Sequence, residues 1–178
     1  MTNKAPKSRD YFGEMYAAGV LADHGWNVYF PRRDKGFDFI ITKPVRNQIA
    51  VRPVQVKGLY PTEQKKPRSA YGYIGKLSQI HPDTVLALVF FDRGAVGAAQ
   101  PAPKHVALMP WTAIRTQQSR GYACRPAQLT AEGPKPGKDF VKYFDLSGIE
   151  LLEANSSELS HLCRHLPATP DRIPANKG

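Results

Sequence analysis

Seven consecutive apolar residues, Val85 to Phe91 within TVLALVFFD, do most to narrow the fold of this chain. A strand with no polar residue at alternate positions is buried on both faces, so the sheet that holds it needs a layer of chain on each side. Neighbouring segments fit such a sheet. AYGYIG, from Ala70 to Gly75, reads as a short strand, and KLSQI after it as part of a helix. HVALMPW, from His105 to Trp111, reads as a strand ended by Pro110, and the glycines and prolines between Gly94 and Pro103 mark an exposed connection. The stretch from Thr130 to Lys138 is loop-like, after which FVKYFDLSGIELLE would add an edge strand and the start of a closing helix. The expectation is an α/β fold with one mixed sheet and flanking helices. At 178 residues the chain can bury a sizeable core as a single domain, expected over 1–165. Proline-rich residues 166–178 hold too little apolar content to pack and are expected to form a flexible tail.

The segment DKGFDFIITKPVRNQIAVRPVQVKG, Asp34 to Gly58, has apolar stretches at Phe37–Ile41 and Ile49–Val56 separated by Pro44, Arg46 and Asn47, which is a hairpin pattern. Side chains two apart on a strand share a face, so Gln55 and Lys57 point together while Val54 and Val56 point into the opposite layer. Asp38 lies between Phe37 and Phe39 on the preceding strand, and an in-register hairpin brings it to the Gln55 side. Upstream, SRDYFGEMYAAGVLADHGW reads as a helix, with Ser8 as N-cap and Gly25 as the stop after His24. Tyr11, Met15, Ala18, Leu21 and Ala22 recur on it at helical spacing, and Glu14 falls on the same stripe. A buried, unpartnered carboxylate is costly, so a cation beside Glu14 is the economical explanation.

These residue types suit metal-dependent phosphodiester cleavage. A hard cation such as Mg²⁺ takes oxygen ligands: one or two carboxylates, waters and a substrate phosphate. Asp38 would be the fixed anionic ligand, Gln55 and the backbone carbonyl of Val56 further ligands, and Glu14 a ligand through water. Lys57 would position or help deprotonate the attacking water and stabilise charge on the phosphorane-like transition state.

From roughly Tyr11 to Gly58, with looser similarity to about Trp111, the helix glutamate, GFDF and QVKG together resemble the PD-(D/E)xK nuclease superfamily, in the QxK variant whose third acidic position is glutamine. The resemblance implies a restriction-endonuclease-like core, a central mixed β-sheet flanked by helices, and a Mg²⁺- or Mn²⁺-dependent endodeoxyribonuclease. It assigns the active site to Glu14, Asp38, Gln55 and Lys57. Two positions depart from the pattern: Phe37 stands where proline is usual, and Gln55 lowers the negative charge of the metal site.

Charge points the same way. Of the formal +10, residues 1–70 carry a net +7, with 13 Lys and Arg against 6 Asp and Glu, so the excess lies around these residues. Lys7, Arg9, Arg32, Arg33, Lys35, Lys65, Lys66 and Arg68, with Lys4, are the expected phosphate contacts, giving salt-dependent affinity without reading sequence. Double-stranded DNA is the expected partner, and a symmetric homodimer is the simplest way to cut both strands. Tyr60 either stacks on a base or packs in its loop. His161 and His165, four apart, lack a third ligand nearby and read as a surface face. Cys124 and Cys163 read as reduced thiols. No stretch is long and apolar enough to span a membrane, and the N-terminus lacks the apolar core of a secretory signal, so a cytoplasmic location is expected. Two other readings stay open: a nucleic-acid- or partner-binding module that keeps the fold without turnover, and an RNA-directed enzyme.

Overall fold

A computed structural model describes residues 8–32, 36–60, 68–75, 81–92, 102–117, 121–130 and 133–154. It is an α/β structure. The main sheet has five strands in the order β1 (Asn27–Tyr29), β2 (Phe39–Val45), β3 (Gln48–Leu59), β5 (Val85–Asp92) and β6 (Ala102–Pro110). β3 and β5 run parallel and the other neighbours antiparallel, so the sheet is mixed. Among the described residues no helix is long and apolar enough to cross a membrane.

The helix α1 (Ser8–Asp23) packs on one face of this sheet. It stops where the sequence predicts. Gly25 has φ +82°, its N–H donates to the Ala22 carbonyl at 3.0 Å, and the Trp26 N–H donates to the Leu21 carbonyl at 3.1 Å. This is a Schellman end, with Leu21 and Trp26 both buried as its apolar contact. The buried stripe differs from the expected one: Gly13, Ala17, Ala18 and Leu21 face the sheet, whereas Tyr11 and Ala22 are exposed. Close approach decides this. A Cβ on Gly13 would lie 3.9 Å from the Gly58 Cα, so small residues let the helix backbone settle onto β3 where large ones would hold it off.

The β2–β3 hairpin turns through Arg46 and Asn47, both at positive φ (46° and 64°), with Val45 paired to Gln48. Two left-handed residues make a type I′ turn, whose twist matches that of the flanking strands. Pro44 lies beyond the end of β1, so its missing N–H removes no ladder bond. The strand begins at Phe39, one residue after Asp38, and so starts later than the expected Phe37.

The other face of the main sheet is covered by a second sheet where one sheet was expected. Its strands are β4 (Arg68–Gly75), β7 (Arg115–Gln117), β8 (Gly121–Thr130) and β9 (Gly133–Pro136); β8 pairs with the other three, all antiparallel. β9 replaces the loop expected from Thr130 to Lys138. Ala70, Leu86, Leu88, Phe90, Ala107, Met109, Cys124 and Ala127 form a core shared by the two sheets, and Leu86 and Leu88 meet the β4 backbone closely at Gly72. In place of an edge strand after Phe140 the chain makes a single 3₁₀ turn, Val141–Tyr143, touches β6 through an isolated Ala107–Phe144 bridge, and enters α2 (Asp145–Leu151). The helix expected at 76–80, the flexible tail 166–178 and the His161/His165 pair fall outside the described residues.

Candidate active site

Val54 and Val56 are buried in the core beneath α1, so the intervening Gln55 and the following Lys57 project from the opposite face. Past Val54 the strand β3 loses β2 as a neighbour, because β2 begins at Phe39 opposite Val54. Asp38, the residue just before β2, fills that gap. Its N–H donates to the Val54 carbonyl at 2.8 Å, and its Oδ2 accepts from the Val56 N–H at 2.5 Å and from Gln55 Nε2 at 2.6 Å. Asp38 therefore continues the ladder with its side chain, capping a β3 amide that β2 no longer reaches. The expected register is the one found, and it places Asp38 and Gln55 in direct contact.

Lys57 is exposed, on the same face as Gln55 and one pleat further along. Gln55 is buried, only 8% exposed, at the border where the second sheet begins. Glu14 is half-buried on α1, which covers the Val54/Val56 face, so it approaches from the side of the sheet opposite Gln55 and Lys57. Tyr16 lies within electrostatic reach of Asp145 on the β6 side: burial first, and then that carboxylate, push the Tyr16 hydroxyl pKa up. The structure brings Asp38 and Gln55 together and leaves Glu14 on the other face.

The donor set is oxygen-rich and suits a hard cation. A strand residue aims its N–H and C=O to the same side, so the Val56 carbonyl, like its N–H, points toward Asp38. Asp38 and Val56 thus offer a carboxylate and a peptide oxygen within one gap, and Gln55 reaches the same carboxylate. The amide presents its nitrogen there, since an ionised carboxylate only accepts. Among the described residues no group of three His, Cys, Asp or Glu side chains stands close enough to hold a metal ion; the candidate set has the Asp38 carboxylate with an amide and a peptide carbonyl beside it.

Of the expected phosphate contacts, Arg32 is exposed just after β1, Arg9 lies in the first turns of α1 and Arg68 opens β4. Lys4, Lys7, Arg33, Lys35, Lys65 and Lys66 lie outside the described residues. Tyr60 packs flat on Phe91, ring centroids 4.3 Å apart, and so takes the packing role of the two expected for it. Two polar clusters were not singled out in the sequence. Buried Arg52 pairs with Asp83 at 3.4 Å and donates to the Ala154 carbonyl at 2.6 Å, and Lys43 pairs with Glu153 at 2.5 Å. Together they fasten the residues after α2 to the hairpin. His105 Nδ1 lies 2.7 Å from Asp145 Oδ2 while Asp145 Oδ1 accepts the Val106 N–H at 3.0 Å, tying α2 to β6. Sequence carried no signal for these pairs, whose members lie 31 to 110 residues apart.

No protein-family model matches the chain, and no curated protein matches it.

Proposed function

We propose that the chain is a metal-dependent endonuclease that hydrolyses phosphodiester bonds of DNA on a restriction-endonuclease-like core. One observation carries the reading: Asp38, in the gap where β2 stops, contacts both Gln55 and the Val56 peptide, with Lys57 next on the Gln55 face. Asp38 and the Val56 carbonyl would hold Mg²⁺ or Mn²⁺, with Gln55 as a supporting oxygen donor; Glu14, on the other face of the sheet, is left out of the set. When bound, the cation polarises a phosphoryl oxygen and lowers the pKa of a water. Lys57 would orient the attacking water and offset charge on the phosphorane-like transition state. The net charge of +10 favours a polyanionic substrate, and Arg9, Arg32 and Arg68 would join the other basic residues on its backbone. A symmetric homodimer would cut both strands of a duplex.

The test is nicking of supercoiled plasmid with and without Mg²⁺ or Mn²⁺. Lys57→Ala and Asp38→Ala are each expected to slow nicking by about 100-fold or more, the scale of a lost acid–base or electrostatic group, with DNA binding retained. Metal-independent nicking, or nicking undiminished in both variants, would overturn the proposal. The turn of the Gln55 amide nitrogen toward Asp38 favours a second reading, a nucleic-acid- or partner-binding module without turnover. Retained DNA binding with no metal-dependent product from the wild-type chain supports that reading. Matched RNA and DNA substrates separate an RNA-directed enzyme from both, because 2′-hydroxyl contacts distinguish the two.

A further inference from the structure

Asp38 Oδ2 holds two donors, the Val56 N–H at 2.5 Å and Gln55 Nε2 at 2.6 Å, and Gln55 is 8% exposed. Resting on the metal-dependent reading above, we infer that the Gln55 side-chain amide is a built-in occupant of the cation's place on Asp38, so that a divalent ion binds by turning that amide end for end. The amide is chemically two-ended: its nitrogen only donates and its oxygen only accepts. With the nitrogen toward Asp38 the pair is satisfied without metal. With the oxygen toward Asp38, two acceptors face each other, and that arrangement is favourable only with a cation between them.

The backbone leaves the amide turn as the available adjustment. Gln55 is held in register with Leu86 on one side of β3, while Asp38 is fixed by its own N–H on the Val54 carbonyl. Neither main chain can move aside without losing ladder bonds. The Val56 N–H, being backbone, stays on Asp38 in both states, so the carboxylate keeps its position while the other donor on its Oδ2 changes. Glutamine at this position therefore keeps the metal-free site assembled and weakens cation binding, because each ion displaces a hydrogen bond from a buried group. Glutamate would reverse both effects: it adds a negative charge for the cation and, without one, sets two carboxylates against each other.

The experiment titrates the ¹⁵N-labelled full-length chain with Mg²⁺ and follows the Gln55 side-chain NH₂ pair, assigned by its absence from the Gln55→Glu and Gln55→Met spectra. The pair is expected to shift with the midpoint of Mg²⁺ binding. Gln55→Glu is expected to bind Mn²⁺ at least tenfold more tightly than wild type by calorimetry, to melt lower than wild type at pH 7 without divalent ions, and to regain stability on acidification. An NH₂ pair that stays still through saturation with Mg²⁺ overturns the inference, as do Mn²⁺ affinities within twofold of each other or no cation binding in either protein. Should Gln55→Glu fail to fold, the wild-type Mg²⁺ titration decides, with assignment from Gln55→Met. The nuclease reading fails separately: moving amides and tighter Mn²⁺ binding without plasmid nicking sink the activity alone, whereas nicking with an unmoved amide sinks the inference alone.

Discussion

β3 and β5 lie side by side and parallel in one sheet, yet they are used in opposite ways. β5 is buried from Val85 through Phe91, with α1 and its core on one face and the second sheet on the other. β3 has exposed residues at Gln48, Ile49, Val51 and Lys57, with Gln55 at the boundary. The difference lies in what covers them. The second sheet meets β5 through Gly72, against Leu86 and Leu88, and it supplies the shared core over β5 and β6. Towards β2 that cover ends and β2 itself stops at Phe39, so the Asp38 carboxylate and the Gln55 amide meet there, with exposed Lys57 next on the Gln55 face. A strand walled on both faces uses every side chain for packing; polar chemistry survives where two layers run out at the same place.

The strongest way to break this contrast is to cut one side chain from each strand. Leu88→Ala on β5 removes a fully buried side chain from the shared core and is expected to cost about 2–5 kcal/mol in a urea titration, the range for buried leucines. Lys57→Ala, in register opposite Leu88, is expected to stay within about 0.5 kcal/mol of wild type. Equal losses would mean that Lys57 is part of the packing, and the distinction between the two strands would fall.

Chemistry at Cys124 sharpens the same contrast from the closed side. Burial pushes its thiol pKa from 9.0 up to about 12, outweighing a smaller lowering by hydrogen bonding with the Gly72 backbone. The shift leaves roughly a thousandfold less thiolate at pH 8, and the thiolate is the reactive form. In a Cys163→Ser background, iodoacetamide is expected to spare Cys124 in the folded chain at pH 8 and to label it promptly in urea. Equal labelling rates would show that the space between the sheets is open to solvent.

A second pair of variants tests the closeness of the sheets. A Cβ on Gly72 would lie 2.8 Å from Leu86 Cδ2 and 3.0 Å from the Leu88 methyls, all fully buried, so Gly72→Ala is expected to cost about 1–3 kcal/mol by overpacking. The same change at Gly19, exposed on α1 with nothing within 4 Å of the added carbon, is expected to stabilise by about 0.5–1 kcal/mol through helix propensity. Thermal melts of the two variants should move in opposite directions.

What the sequence revealed follows from the range of the forces involved. β5, the hairpin and the stop of α1 were legible because each is written in adjacent residues: an unbroken apolar run, a turn between two apolar stretches, and a glycine after His24. The second sheet was not. Its strands carry Pro126, Pro134 and Pro136, which read locally as loop. Pro126 falls where the β4–β8 register shifts, between the Cys124 and Ala127 pairings, and Pro134 and Pro136 lie on β9, which among the described residues pairs with β8 alone, so none of them interrupts a central ladder there. The Asp38–Gln55 contact could be anticipated because hairpin register follows from a short turn. The side of the sheet from which Glu14 approaches could not, because the helix rotation was set by Gly13 and Ala17, small residues that carry little hydrophobic signal but allow the closest approach.

The smallest expected effect lies in the turn that fixes that register. Arg46 and Asn47 both occupy the left-handed region, which costs an ordinary L-residue roughly 1–2 kcal/mol and asparagine or glycine less. Replacing Arg46→Asn together with Asn47→Gly gives the Asn-Gly pair that type I′ turns favour, and is expected to stabilise the chain by less than about 1 kcal/mol. The change lies at the opposite end of β3 from Lys57, so it should leave the Gln55 NH₂ signals and their response to Mg²⁺ where they were. If stability rises while those signals move, the hairpin register is coupled along its length to the open end of β3. The polar group there would then be held by the turn as much as by the loss of cover, and the contrast with β5 would rest on strand pairing as well as on burial.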